Sequence, residues 1–405
     1  MVVKQKILAL NGDEAAAFAA KQCDPDVVAA YPITPQTIIV ERFSEYVADG
    51  EVNTEFVPVE SEHSALSACV GAAAVGGRAY TATASQGLAL MWEILYIAAG
   101  LRLPIVMTVV NRSLSAPINI HCDHSDTMGA RDSGWVQIYC ENSQEAYDTT
   151  IQAWRIAEHP KVQLPVMDTL DGFVLSHTLE NVATLPDEIV KDFIGDKEIS
   201  EVDVGGKKVP YALNPENPLS FGDLALTDYY FEIKLQQILA MNDVEKVIDE
   251  IDKEYGELSG RTYGVIDQYG LEDAEVAVLS LGSTSGTTRY VAKTMKAEGA
   301  KVGSLKLRVF RPFPRERLLE ALKNVKVVVV LDRSSVPGGY GGPVFNELRS
   351  MFYEEEEKPI IKNYIYGLGG RDVPQELIRK SFKEGLRTAK TGEVKETVQY
   401  LGVRE

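Results

Sequence analysis

The residues best suited to chemistry sit where short β-branched runs give way to turns. In VESEHSALSACVGAAAVGG, Val59 to Gly77, two carboxylates, Glu60 and Glu62, close a strand and open a helix of alanine, serine, glycine and cysteine. Side chains that small let a helix pack very close to its neighbour. A carboxylate in a first turn is favoured by the helix dipole, so either acid has a structural reading beside a chemical one as an acid presented at a strand end. Arg112 follows the hydrophobic strand Ile105 to Val110. Its planar fork suits bidentate recognition of a carboxylate, and the rival reading is a structural ion pair at a sheet edge. Thr34, in YPITPQT from Tyr31 to Thr37, is held between Pro32 and Pro35, where a threonine is ordinarily a turn residue, and Tyr31 reads as a packing wall.

Ser113 to Asp126 (SLSAPINIHCDHSD) packs His121, Cys122, Asp123, His124 and Asp126 into six positions. Adjacent side chains of an extended chain point to opposite faces, and no distant histidine or cysteine motif completes a shell. The segment is expected to hold no metal and to form a mobile flap beside a substrate, with Asp123 and His124 as polar lining.

An alternation of strands and helices places these residues. Asp26 to Tyr31, Glu55 to Val59, Arg78 to Ala84, Ile105 to Asn111 and Trp135 to Tyr139 are strand-like, while Pro35 to Asp49 and Ser61 to Gly76 read as helices. The pattern predicts buried parallel strands. Turns at Pro32 to Pro35, Glu60 to Glu62, Ser85 to Gly87 and Arg112 to Ser115 should gather at the carboxyl edge of the sheet, where open α/β sheets bind ligands. From about residue 180 the chain is acidic and loop-rich, and Tyr229 to Tyr255 is a long charged helix, together a linker or an arm that packs on a partner. A second alternation begins near Ala274, with strands Val276 to Leu281, Val302 to Val309, Val325 to Leu331 and Ile360 to Ile365 between helices. There GSTSGT (Gly282 to Thr287) reads as a turn rather than a phosphate cradle, and GGYGGP (Gly338 to Pro343) and GLGGRD (Gly367 to Asp372) as tight loops at a subunit contact.

Composition narrows the field. The 405 residues are 45% hydrophobic and 25% charged, a globular chain long enough for two or three domains. With 41 basic against 59 acidic side chains the net charge is −18, which disfavours nucleic acid and anionic membrane as partners. Cys23, Cys69, Cys122 and Cys140 form no CxxC pair, which argues against a disulfide scaffold or a cysteine-ligated cluster in this chain and for a reducing, cytoplasmic setting. No export signal is visible, and the most apolar window, Leu88 to Val110, is interrupted by Glu93, Arg102 and Pro104, so no membrane span is expected.

The strings YPITPQT, VESEHSA, TATASQGLALMWEILYIAAGLRLPIVM (Thr81 to Met107) and NRSLSAP (Asn111 to Pro117), followed by GSTSGT, VFRPFP (Val309 to Pro314) and YGLGGRDV (Tyr366 to Val373), occur in register. Together they resemble the α subunit of pyruvate:ferredoxin oxidoreductase, or pyruvate synthase, of the 2-oxoacid:ferredoxin oxidoreductase family. The resemblance implies an α/β chain with a three-layer, pyrimidine-type thiamine diphosphate-binding domain over residues 1–230, its acidic arm starting near 180. A helical linker over 231–270 and a smaller three-layer α/β transketolase-C-terminal-like domain over 271–405 would follow. It further implies that Glu62, not Glu60, meets N1′ of the aminopyrimidine and favours the imino tautomer that takes the thiazolium proton. Thr34 would stand close to substrate and thiazolium, Arg112 would bind the 2-oxoacid carboxylate with Tyr31 beside the substrate, and Ser85, Gln86 and Gly87 would contact the cofactor.

A diphosphate site with its Mg²⁺ typically needs a GDG motif, absent here, and [4Fe-4S] clusters need cysteine sets, also absent. Both are therefore expected on partners: a β subunit with the thiamine diphosphate and cluster motifs, and γ and δ subunits, with ferredoxin and CoA as further reactants. The rivals are a sister enzyme for branched-chain 2-oxoacids or 2-oxoglutarate, and a non-catalytic assembly subunit. No GxSxG occurs and no GxGxxG opens the first αβ unit, which disfavours a hydrolase or dehydrogenase.

Overall fold

The computed structural model describes residues 2–404. The chain opens with β1 (Lys6–Leu10), α1 (Gly12–Cys23), β2 (Val27–Ala30), α2 (Thr37–Ala48), β3 (Glu55–Pro58), α3 (Glu62–Ala74) and β4 (Ala79–Thr83). It continues through α4 (Ser85–Leu90), α5 (Trp92–Gly100), β5 (Ile105–Asn111), α6 (Ser125–Gly129), β6 (Val136–Tyr139), α7 (Ser143–Glu158) and β7 (Val166–Asp171). Strands β6, β7, β5, β4, β2 and β3 lie side by side, all parallel, in a seven-stranded sheet whose remaining edge strand comes from later in the chain. Strand β5, IVMTVVN, is buried along its whole length, as a continuous apolar run between two helical layers requires. The layers follow from the pleat: Val28, Tyr80 and Val106 pack with α1 and α7, while their neighbours Ala29, Ala79 and Ile105 pack with α3 and α5.

The acidic stretch is more ordered than its composition predicts. Strand β8 (Glu180–Thr184) pairs antiparallel with β1, α8 (Asp187–Ile194) follows, and β9 (Glu201–Val204) and β10 (Lys207–Pro210) form a hairpin. Helix α8 buries Val190, Phe193 and Ile194, an i, i+3, i+4 face hidden among charges. Helix α9 (Tyr230–Ser259) spans 30 residues, and its buried Val244, Val247, Ile248 and Ile251 join the core of the first sheet.

The chain goes on through β11 (Ile266–Tyr269), β12 (Val276–Ser280), α10 (Thr284–Ala297), β13 (Val302–Leu307), β14 (Val309–Arg311), α11 (Arg315–Leu322) and β15 (Val327–Asp332), then α12 (Pro343–Phe352), β16 (Ile360–Tyr366), α13 (Gln375–Thr391) and β17 (Val398–Leu401), and six of these strands form a second sheet. Its order is β11-β13-β12-β15-β16-β17, parallel except for β11. The strand expected over Val302 to Val309 is broken: β13 ends at Leu307, and β14 crosses to pair antiparallel with β6, Val309 opposite Ile138. The cause lies at Arg308, whose buried guanidinium donates to Glu145 Oε1 at 2.7 Å and Thr149 Oγ1 at 2.9 Å on α7. Buried Lys306 also reaches Glu145. With these two cations beside it Glu145 stays below the usual carboxylate range despite burial, which by itself would raise it. Among the described residues, no helix is long and apolar enough to cross a membrane.

Candidate active site

Four chain reversals meet at the carboxyl edge of the first sheet: the turn after β2 carrying Thr34, the start of α3 carrying Glu62, the start of α4 carrying Ser85, and the end of β5 carrying Arg112. Ser61 caps α3, its hydroxyl accepting the amide of Ser64 at 3.3 Å, and the next residue, Glu62, is turned inward and only 6% exposed. Among the described residues no donor reaches the Glu62 carboxylate. It lies against Gly87, where a Cβ would stand 2.7 Å from Glu62 Oε1 and would also strike Thr83, so glycine is what allows this close approach. Glu60 is different: it is exposed and accepts the Ser64 hydroxyl, a bond that holds it below the usual carboxylate range. Of the two acids, Glu62 is the one that no donor among the described residues engages.

Arg112 is buried at the opposite side of the same edge. Its Nη1 donates to the Thr34 carbonyl at 2.9 Å and its Nε to the Asn119 carbonyl at 3.0 Å. Two neutral oxygens thus hold the guanidinium in place, while among the described residues no carboxylate pairs with it and Nη2 is uncommitted. The sheet-edge ion pair weighed as its alternative is not present there. The Thr34 side chain is exposed at the edge, and Tyr31 stands beside it, 36% exposed. Gly172, after β7, closes the floor: a Cβ there would meet Pro35 Cγ at 2.9 Å and collide with the Asn111 carbonyl.

Beneath these residues lies a carboxylate whose part the sequence does not reveal. Asp126, 4% exposed, accepts the backbone amides of Ser85 and Arg112 on Oδ2, each at 3.0 Å, and the Asn111 side-chain amide (2.9 Å) and the Thr127 amide (2.7 Å) on Oδ1. Burial raises its pKa to about 6, although those four donors pull the other way. Ser85 has φ +48°, a left-handed conformation unusual for serine, and its hydroxyl, with one proton to give, lies within hydrogen-bond distance of the Ser113 carbonyl at 2.7 Å and Gln86 Oε1 at 2.6 Å. Asp126 stands in the HCDHSD run, but three of its four donors come from the start of α4 and the end of β5, and no local pattern announces them.

The expected flap proves to be a clasp over its second half. Cys122, Asp123 and His124 are buried, not lining, because the second αβ unit closes on them. Asp123 Oδ2 accepts the Ser113 hydroxyl (2.8 Å) and the Gly369 amide (3.2 Å), the Cys122 carbonyl accepts the Gly370 amide (2.7 Å), and the Arg333 carbonyl accepts the His124 amide (2.8 Å). GLGGRD is therefore an internal contact. Ser115 to Ile118, Ile120 and His121 are exposed at the mouth. A distant group does join the cluster: Asp171, at the end of β7, lies within metal-ligand spacing of Cys122 and His124. Its oxygens are taken by His124 Nε2 (2.7 Å), Arg333 Nη1 (2.9 Å) and the Ser283 hydroxyl (2.5 Å), and burial pushes the Cys122 thiol up, away from the thiolate a metal prefers. Burial alone would raise Asp171, but His124 and Arg333 hold it well below the carboxylate range. The trio is an ion-pair knot between the two units, with the Arg333 guanidinium in the place of a cation. GSTSGT belongs to the same knot, since the Ser283 amide also donates to Asp171 at 3.2 Å.

A buried acid without a donor and a buried arginine without a carboxylate thus share one sheet edge, and sequence comparison assigns the family. Residues 18–253 match pyruvate flavodoxin/ferredoxin oxidoreductase, thiamine diphosphate-binding, and residues 274–378 match pyruvate:ferredoxin oxidoreductase core domain II. The chain belongs to this family of 2-oxoacid:ferredoxin oxidoreductases. Among its relatives, the pyruvate synthase subunit PorA of Thermotoga maritima is 54% identical, with 98% of each chain covered. The same subunit of Pyrococcus furiosus is 45% identical over 98% of this chain and 97% of its own. The ketoisovalerate oxidoreductase subunit VorA of Pyrococcus abyssi is 41% identical with the same coverage. In structure, a 2-oxoglutarate:ferredoxin oxidoreductase from Magnetococcus marinus aligns with a TM-score of 0.74 at 20% identity, over 95% of this chain and 65% of that one, which shows a shared fold.

Proposed function

We propose that this chain is the pyruvate-binding, cofactor-activating subunit of a pyruvate synthase, the complex that converts pyruvate, CoA and oxidised ferredoxin reversibly to acetyl-CoA, CO₂ and reduced ferredoxin. The observation that carries this reading is the buried, donorless carboxylate of Glu62 against Gly87, on one sheet edge with Arg112. The preference for pyruvate over branched 2-oxoacids rests on 54% identity to a PorA chain against 41% to a VorA chain.

Thiamine diphosphate, when bound, supplies the carbon nucleophile and electron sink that a 2-oxoacid needs to lose CO₂. Glu62 supplies the acceptor oxygen for N1′ of its aminopyrimidine, a partner the chain itself leaves out. In this reading Ser85, Gln86 and Gly87 contact the cofactor beside Glu62, which Gly87 can approach closely because it has no Cβ. Arg112 grips the substrate carboxylate through Nη2, its other nitrogens being anchored on Thr34 and Asn119. The Thr34 hydroxyl and Tyr31 ring stand on the substrate side of that grip. Diphosphate, Mg²⁺ and [4Fe-4S] clusters belong to partner subunits in this reading, supported by the missing GDG motif and by four cysteines that are all buried and free. The partners are a β subunit with the cofactor and cluster motifs and γ and δ subunits, assembled in the cytoplasm. The same reading divides this chain into residues 1–230, 231–270 and 271–405.

The test is reconstitution with the partner subunits. Glu62→Gln keeps the shape and removes the ionisable carboxyl group, so pyruvate-dependent viologen reduction should fall at least ~100-fold with assembly intact, the scale of lost acid–base catalysis. Glu60→Gln, altering an exposed acid spent on Ser64, should stay within about twofold. Greater sensitivity at Glu60 would overturn the assignment.

A further inference from the structure

We propose that Asp126 is the positioning residue that holds the cofactor turn and the substrate arginine in one register; the inference rests on the functional reading above and deepens it. A single carboxylate oxygen, Oδ2, takes both the Ser85 and the Arg112 amide. Those two amides begin the only segments of the site that carry Gly87 and the guanidinium, so their separation is set by the width of one acceptor atom. The Ser85 turn needs such a tie: a serine at φ +48° is held against its own preference, and releasing it would let Gly87 swing away from Glu62 Oε1. The other oxygen is fixed in turn by Asn111 and Thr127, so the acid cannot rotate toward one amide at the expense of the other. Asp126 is buried beneath the edge and touches neither proposed ligand position; its influence passes through the two backbones it binds.

An asparagine is the sharpest probe. It has the same shape, but whichever way its amide lies, an NH₂ opposes donors where an oxygen accepted two of them. In the reconstituted complex Asp126→Asn should raise the pyruvate KM at least tenfold and weaken thiamine diphosphate binding, measured by calorimetry, by a similar factor. Arg112→Ala should move only the pyruvate term. Asn111→Ser, which loosens Asp126 without touching Ser85 or Arg112 backbone, should shift both constants in the same direction by a smaller factor, and carries the test if Asp126→Asn does not fold. Hydrogen exchange in peptides covering residues 83–87 and 110–114 should quicken in both variants of the isolated chain. A change confined to one constant, or to neither, would overturn the inference. Full activity of Glu62→Gln and Arg112→Ala would instead overturn the reading of the site, so the two failures are distinguishable.

Discussion

At the residue scale the site is defined by what its members do not touch. Arg112 spends Nη1 and Nε on carbonyls, and a guanidinium buried without a carboxylate keeps a strong claim on an external one. A charge-assisted hydrogen bond of that kind is worth ~1.5–3 kcal/mol, so Arg112→Ala should weaken pyruvate kcat/KM by roughly ten- to a hundredfold. Arg112→Lys keeps the charge but not the fork, and also abandons the anchors on Thr34 and Asn119, so it should recover only part of the loss. Thr34→Ala, which leaves the carbonyl anchor in place, should slow turnover with little change in cofactor affinity. Steady-state kinetics on the reconstituted complex, with calorimetry for thiamine diphosphate, check all three. Wild-type kinetics in Arg112→Ala would remove this arginine from the substrate.

At the scale of elements, the strands beneath the site carry an acid of their own. Asp168 on β7 is fully buried and accepts the Thr108 and Thr150 hydroxyls, each at 3.1 Å at closest, with Tyr80 donating to Thr108 behind them. Burial outweighs those hydroxyls and raises it to about 7. The folded chain therefore binds this proton more tightly than the unfolded one between about pH 4 and 7, and the group's contribution to stability declines as pH rises through that window. Asp168→Asn abolishes the slope, so its melting temperature relative to wild type should climb from pH 5 to pH 8; a constant difference would show that Asp168 does not titrate there. The same elements show what could be read in advance. Strand β5 was legible to the residue, because a parallel strand buried on both faces is an unbroken apolar run whose ends are its polar neighbours. Glu62 and Arg112 were legible as strand-end residues for the same reason. The break between β13 and β14, the buried face of α8, the Asp126 hub and the conversion of the 119–124 loop into a clasp were not. The break, the clasp and the hub each depend on a partner far away in the chain: Glu145 for Arg308, Asp171 for His124, Ser85 for Asp126.

At the scale of the whole molecule, two αβ units are locked by the knot of His124, Asp171, Arg333 and Ser283 and by β14. Asp171 is a depressed carboxyl, so its contribution to stability is complete above the ordinary carboxylate range and is lost as pH falls below it. Asp171→Asn leaves Arg333 buried with less charge to face, and the lone chain should then unfold in two calorimetric steps instead of one at neutral pH; a single unshifted transition would show that the knot does not couple the units. The crossing strand bears on how the chain must be made. The exposed rim of β6 can be sealed only when Val309 to Arg311 emerges from the ribosome, long after β2 to β7 have been synthesised. A nascent chain of some three hundred residues therefore carries an open, unpaired strand that invites wrong neighbours, and its maturation depends on translation reaching the far side of the second sheet.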